Sequence, residues 1–159
     1  MTVYNNVGPI RFGGVSQVTA TLGANDPEVG TRCWEGDEEY LFVYNAGNSQ
    51  ISPGYGATVS AVTGYSVTVS SITQIDAFVG VCKHTTLTTG TYGWLLTRGF
   101  GTAKMPANSG CAAGQLLTVG ADGVFSVKSI STDAPGAVYG KVMEATGSAG
   151  VATAFFKIY

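Results

Sequence analysis

Residue types capable of chemistry stand close together at two places in the chain. One is the triplet Cys82-Lys83-His84; the other is the acidic run Glu35-Gly36-Asp37-Glu38-Glu39. A Cys-x-His pair is too closely spaced for an ordinary zinc site, and the sequence holds no second pair and no second histidine. An imidazole next to a thiol can lower the thiol's pKa and create a nucleophile. Residues i and i+2 share a face only on a strand, however, and no third group stands nearby to orient them. His84 is therefore read as an exposed residue at a strand end. Glu38 and Glu39 are adjacent, so on a strand they point to opposite faces, while Glu35, Asp37 and Glu39 could line one side. Nothing in the run separates two carboxylates across a cleft in the manner of a glycosidase. Gly13-Gly14 and Gly54-Tyr55-Gly56 lack the strand–loop–helix setting of a phosphate cradle, and there is no G-x-S-x-G elbow. The expectation is a protein that is not an enzyme, with no metal and no cofactor.

Composition points to the elements that must carry these residues. The chain has 159 residues, enough for one domain, and only 11% are charged, against an ordinary ~25%. Glycine (23) and threonine (19) fill the gap, which favours strands punctuated by turns. The eight Lys and Arg residues are scattered singly and net charge is −2, so direct nucleic-acid binding is not expected. Six of the ten acids lie between Asp26 and Glu39. That cluster reads either as a solvated loop or as a contact for a basic partner. No apolar stretch reaches 18 residues, so no membrane span is expected. The start lacks a charged segment followed by an apolar run, and reads as carrying no secretory leader. Cys33, Cys82 and Cys111 are odd in number and far apart, and read as free, buried thiols.

Strand signals follow in quick succession. Tyr40 to Tyr44 is apolar on both faces and so is central or interfacial. Ala57 to Val62 and Ser66 to Ser70 form a hairpin candidate, as do Gln115 to Val119 and Val124 to Lys128 around Asp122-Gly123. Phe78 to Lys83 precedes strands at Gly93 to Gly99 and Gly101 to Met105. Val138 to Glu144 precedes Val151 to Tyr159, whose strict alternation buries Ala152, Ala154, Phe156 and Ile158. No segment sustains a helical period. The spacing predicts an all-β fold: a compact β-barrel or sandwich-like body of short antiparallel strands at 31–159, preceded by an extended N-terminal arm at 1–30. Thr58-Val59-Ser60-Ala61 through Val67 is similar to Thr118-Val119-Gly120-Ala121 through Val127, so the segments 40–98 and 100–159 read as two related halves.

Low charge combined with strands apolar on both faces suggests surface buried against other chains. Tyr40, Phe42, Tyr44, Trp94 and Arg98 are the candidate subunit-interface residues, with packing in the core as the other reading of Trp94 and its neighbours.

Several segments together resemble one family. They are Gly30-Thr31-Arg32, Gly36 to Gly47, Tyr92-Gly93-Trp94-Leu95-Leu96-Thr97-Arg98-Gly99, Ala113 to Leu117, Gly136 to Val142 and Phe155 to Ile158, with the opening Asn6 to Ser16. In order and spacing they resemble the head decoration (cement) proteins of tailed bacteriophages. The resemblance implies a small β-barrel-like body on the outer surface of the virion's head, made in the host bacterial cytoplasm. It also implies a homotrimer that binds the major capsid protein and stabilises contacts between its subunits, without an active site. Another virion β module, such as a tail, fibre or carbohydrate-binding piece, is the alternative. Within the arm, Tyr4, Ile10, Arg11 and Phe12 are spaced to lay side chains on both sides of an extended segment, and are the candidate capsid contacts.

Overall fold

The computed structural model describes residues 3–4, 14–24, 26–60, 65–70, 77–107, 109–128, 138–146 and 150–158. The fold is all-β. Its strands are β1 (Val3–Tyr4), β2 (Arg32–Glu35), β3 (Glu38–Asn45), β4 (Gly56–Val59), β5 (Ser66–Val69) and β6 (Phe78–Val81). They continue as β7 (Tyr92–Lys104), β8 (Leu116–Val119), β9 (Phe125–Val127), β10 (Gly140–Val142) and β11 (Val151–Lys157). A three-residue 3-10 turn lies at Ala121–Gly123. It places Asp122 in the left-handed region, with φ 56°, at the tight turn that Asp-Gly marks in the sequence.

The strands β3, β5, β4, β6 and β7 close into a five-stranded barrel, because β3 pairs with β7 as well as with β5. β7 then runs on into a second unit, ordered β7-β11-β10-β8-β9. The expected hairpins are present as antiparallel pairs: β4 with β5, β8 with β9, and β10 with β11. The sequence reading differs at β7. Where it expects two strands split near Gly99-Phe100, the chain runs unbroken for 13 residues. The break is a bulge. Register shifts from Glu39↔Arg98 to Tyr40↔Leu96, and the extra residue, Thr97, donates its Oγ1–H to the Glu39 carbonyl at 3.1 Å. Gly99 follows at φ 130°, with Glu38 pressed so close that a Cβ would lie 2.8 Å from its Cγ. A glycine inside a strand here marks a bulge and a close approach rather than a turn.

The two faces of β3 serve two cores. Leu41 and Val43 join Ile51, Ala57, Val67, Cys82, Leu87 and Leu95 in a cluster of small and branched residues, which the barrel encloses. Tyr40 and Phe42 face the other way. They enter a larger cluster with Phe78, Val81, Trp94 and Leu96 from the barrel, and Leu117, Val119, Phe125, Val142, Ala152, Ala154 and Phe156 from the second unit. The second unit thus lays its inward face on the outside of the barrel. Phe125 meets Phe78 edge-on at 6.0 Å and Phe156 at 5.4 Å. Apolar residues on both faces of Tyr40–Tyr44 follow from this position between two cores.

The units show matching backbone hydrogen bonds 59 or 60 residues apart. Gly54 N–H donates to Cys82 O, and Gly114 N–H to Val142 O. Cys82 N–H donates to Tyr55 O, and Val142 N–H to Gln115 O. Asn45 N–H donates to Thr91 O, and Met105 N–H to Gly150 O. The lone bridges Ile51↔Leu87 and Cys111↔Thr146 correspond as well. Gly54 and Gly114 take φ values of 89° and 88°, a conformation that glycine adopts without penalty. The correspondence ends where the barrel closes. Ala46 N–H donates to Val67 O in the first unit, but its counterpart, Pro106, has no N–H. Lys104 N–H, counterpart to the Tyr44 N–H that bonds Tyr65 O, instead reaches Gly54 O in the first unit. Among the described residues β9 pairs only with β8, so the second unit stays open.

The N-terminal region also differs from the expected arm at 1–30. Val15 is buried in the large core, Thr19 bridges Tyr92, and Thr85 Oγ1–H donates to Ser16 O at 2.7 Å. Gly30 N–H donates to Phe42 O at 2.7 Å. Residues 14–24 and the approach to β2 therefore lie on the body. Two short strands went unread in the sequence: β2, antiparallel to β3, and β1, parallel to β2.

Candidate interaction surface

The titratable residues singled out in the sequence do meet, at the end of the barrel where β3 begins. The Tyr40 hydroxyl donates to Glu38 Oε2 at 2.5 Å and lies 3.0 Å from His84 Nε2. The rings of Tyr40 and His84 stack at 5.8 Å. Lys83 Nζ donates to Glu38 Oε1, and Arg32 pairs with Glu39 at 2.5 Å. Glu38 and Glu39 thus turn to different partners, as strand alternation requires. Burial works against ionisation of Glu38, but hydrogen bonds from Lys83 and Tyr40 and the charges of Lys83 and His84 outweigh it. Its carboxyl is held below the ordinary range. Burial, and next the Glu38 hydrogen bond, push the Tyr40 phenol well above its ordinary value.

This arrangement ties β3 to the loop after β6; it does not prepare a nucleophile. Cys82 points away from His84, and its Sγ contacts the Thr85 carbonyl at 3.3 Å. Burial pushes its thiol up to about 11. Burial and then the nearby Glu35 and Glu39 push Cys33 up to about 12. Both thiols stay protonated at neutral pH, and the thiolate is the nucleophilic form. Among the described residues no three of His, Cys, Asp and Glu gather where they could hold a metal ion. No helix among them is long and apolar enough to cross a membrane.

The residues expected at a subunit interface have separate fates. Tyr40 and Phe42 are fully buried and Trp94 is 6% exposed, all within the chain's own core. The interface expectation is corrected for these three: they sit between barrel and second unit, so another subunit does not meet them. Phe42 packs at 4.9 Å on Trp94. The Trp94 indole nitrogen finds no hydrogen-bond partner, so this residue serves packing. Tyr44 is half-buried against Tyr92 at 4.7 Å. Arg98 is exposed, its guanidinium 5.6 Å from the centre of the Trp34 ring. Tyr4 lies on β1, and Ile10, Arg11 and Phe12 fall outside the described residues.

A surface missed in the sequence lies on the outward face of the second unit. Phe100 is 52% exposed and packs edge-on against Phe155 at 5.2 Å. Register aligns Phe100 with Phe155, Phe155 with Lys141, and Lys141 with Leu116 in one row across four strands. Met143 and Val151, both exposed, extend the strip. Exposed Arg98 and Lys157 are paired in register at one end, and half-buried Lys104 pairs with Val151 at the other. A signal was present in β11. Its buried face carries Ala152, Ala154 and Phe156, while the outward face carries Val151 and Phe155 among Thr153 and Lys157, more apolar than an ordinary solvated face.

No protein-family model matches the chain, and no curated protein matches it. Among solved structures the chain is similar to the head fiber gp8.5 N base of bacteriophage phi29, at 17% identity and a TM-score of 0.52. The match covers 74% of this chain and 94% of that one. The two share the fold.

Proposed function

We propose that the chain is a structural protein of the bacteriophage virion: a decoration (cement) protein that sits on the outer surface of the head as a homotrimer and holds neighbouring major capsid protein subunits together. The observation that carries this reading is the likeness of fold to the phi29 head fiber base, over nearly all of that chain. It agrees with the resemblance of the sequence segments to phage decoration proteins. The site chemistry supports it too: the titratable cluster is internally paired and burial keeps the Cys33 and Cys82 thiols protonated. A protein of this kind needs no catalysis, cofactor, nucleic acid or membrane. A trimer gripping several capsid subunits at once gains attachment from many weak contacts, because each further contact is made at high effective concentration.

A second reading, a head-fibre base that carries a distal appendage, is favoured by the same likeness. One experiment separates these readings from each other and from a tail location. Purified protein is added to undecorated expanded heads, and bound copies are counted and located by cryo-EM. A cement protein occupies repeated positions around capsid subunits and raises the temperature at which heads release DNA. A fibre base binds without that protection. Absence from heads overturns both.

A further inference from the structure

The charge of the chain is divided between its two units. Residues 1–97 hold seven of the ten acids and three of the eight bases, whereas residues 98–159 hold three acids and five bases. The first part is therefore −4 and the second +2, which together make the −2 of the chain. Exposed Glu35 and Asp37 stand at the turn between β2 and β3, with Gly36 at φ 61° between them. On the outward face of the second unit the exposed strip of Phe100, Leu116, Met143 and Val151 contains Lys141 and is flanked by Arg98 and Lys157. The corresponding face of the first unit, Tyr40, Phe42, Trp94 and Leu96, is covered within the chain. The counterpart face of the second unit carries Phe100 and Phe155, and among the described residues Phe100 stays half exposed.

We infer that a second copy of this chain covers that face, with the acidic β2–β3 turn of one copy seated against the cationic, aromatic strip of the next. This deepens the self-association part of the proposed function and rests on it. The contact joins two different patches, so it is heterologous and propagates until it closes as a ring. The turn projects from the end of the sheet where Glu39, Arg98 and Lys157 align, so the two patches adjoin rather than stand at opposite poles. Such a contact closes after few copies, as a trimer requires. Phe100 is the anchor: it is the most exposed large aromatic of the strip, packed on Phe155 beside the Arg98–Lys157 pair, and a large aromatic next to charge is where interface energy concentrates. The rim charges steer docking and fix its direction, and salt weakens their part.

The test uses the intact chain in sedimentation experiments at micromolar concentration, with thermal melts to confirm folding. Phe100→Asp and the double variant Glu35→Lys/Asp37→Lys change exposed side chains, so both are expected to melt like the parent. Each alone is expected to be monomeric, with association weakened by ~10²-fold or more. Mixed, they are expected to form a dimer and nothing larger, because each supplies the one patch that the other lacks. The inference is overturned if the parent chain is a monomer, if Phe100→Asp keeps the parent's oligomeric state, or if the mixture fails to pair. An oligomer that dissociates as described but never binds heads defeats the virion reading alone. A Phe100→Asp oligomer that stays intact but loses its heads shows that the face meets the capsid instead, and defeats this inference alone.

Discussion

Glu38 sets the acid response of the fold. Its carboxyl is held below the ordinary 4.5 by Lys83, Tyr40 and His84, against the opposing effect of burial. A carboxylate with a lowered pKa in the fold contributes stability above its unfolded value, and that contribution is lost as pH falls through the lower folded value. Glu38→Gln is therefore expected to lose about 1 kcal/mol near neutral pH, discounted because the pair is about one-fifth exposed. The deficit should shrink toward pH 3, which urea titrations at the two pH values would read. The thiols give a second measurement. With Cys33 at about 12 and Cys82 at about 11, the thiolate fraction at pH 8 is small. A disulfide reagent should label them at least ~10²-fold more slowly in the native protein than in the unfolded one. Fast native labelling of either would refute the packing role.

At the scale of elements, two glycines separate crowding from backbone strain. At Gly80 a Cβ would meet the Leu96 carbonyl and the Leu95 Cβ at 2.9 Å each, so β6 and β7 would have to part. Gly80→Ala is expected to cost ~2–4 kcal/mol. Gly90 has open space but φ 77°, so Gly90→Ala should cost only ~1 kcal/mol. Equal losses in denaturant unfolding would contradict the packing described between the two strands. The N-terminal segment offers a deletion series. Removing residues 1–13 takes away, among the described elements, only the two-residue edge strand β1 and its pairing with β2, and should lower the body's melting only slightly. Removing 1–25 also takes away Val15 and the Thr19–Tyr92 bridge, and should cost ~2 kcal/mol or more. Identical melting of the two truncations would restore the arm boundary to residue 30.

At the scale of the molecule, the two units cannot be parted. β7 belongs to both, and the larger core takes residues from the barrel's outside and the second unit's inside. Residues 100–159 expressed alone are expected to remain unfolded, with collapsed amide dispersion in NMR spectra, because their apolar inward face would have nothing to cover it. A well-dispersed spectrum would show that the second unit folds without the barrel. The closed and open halves also differ at their edges. A closed barrel has no free edge, whereas β9 pairs on one side only among the described residues. Among the described residues the free edges are those of β9 and of β1, which pairs only with β2.

Local patterns determined much of this protein before any fold was known. Glycine and threonine abundance with period-two alternation marks strands, Asp122-Gly123 marks a turn, and the Ala152–Phe156 alternation marks a buried face. The single histidine and the singly scattered bases are likewise visible in composition. Each of these properties depends on neighbours a few residues away. The rest depended on partners distant in the chain. Tyr40, Phe42 and Trp94 look like an interface because an apolar strand face carries no record of what covers it; here it is the second unit. Phe100 looks like a core residue for the same reason, and is half exposed. Arg98-Gly99-Phe100 looks like a break because a glycine reads alike at a turn and at a bulge, and the pairing of Glu39 with Arg98 decides which. Where the first unit closes through Tyr44 and Ala46 N–H, the second has Lys104, whose N–H reaches Gly54 O, and Pro106, which has no N–H; that difference has meaning only beside the first unit's pairing. Strand alternation is written in adjacent residues, but which of two apolar faces is left to the outside is settled by long-range packing.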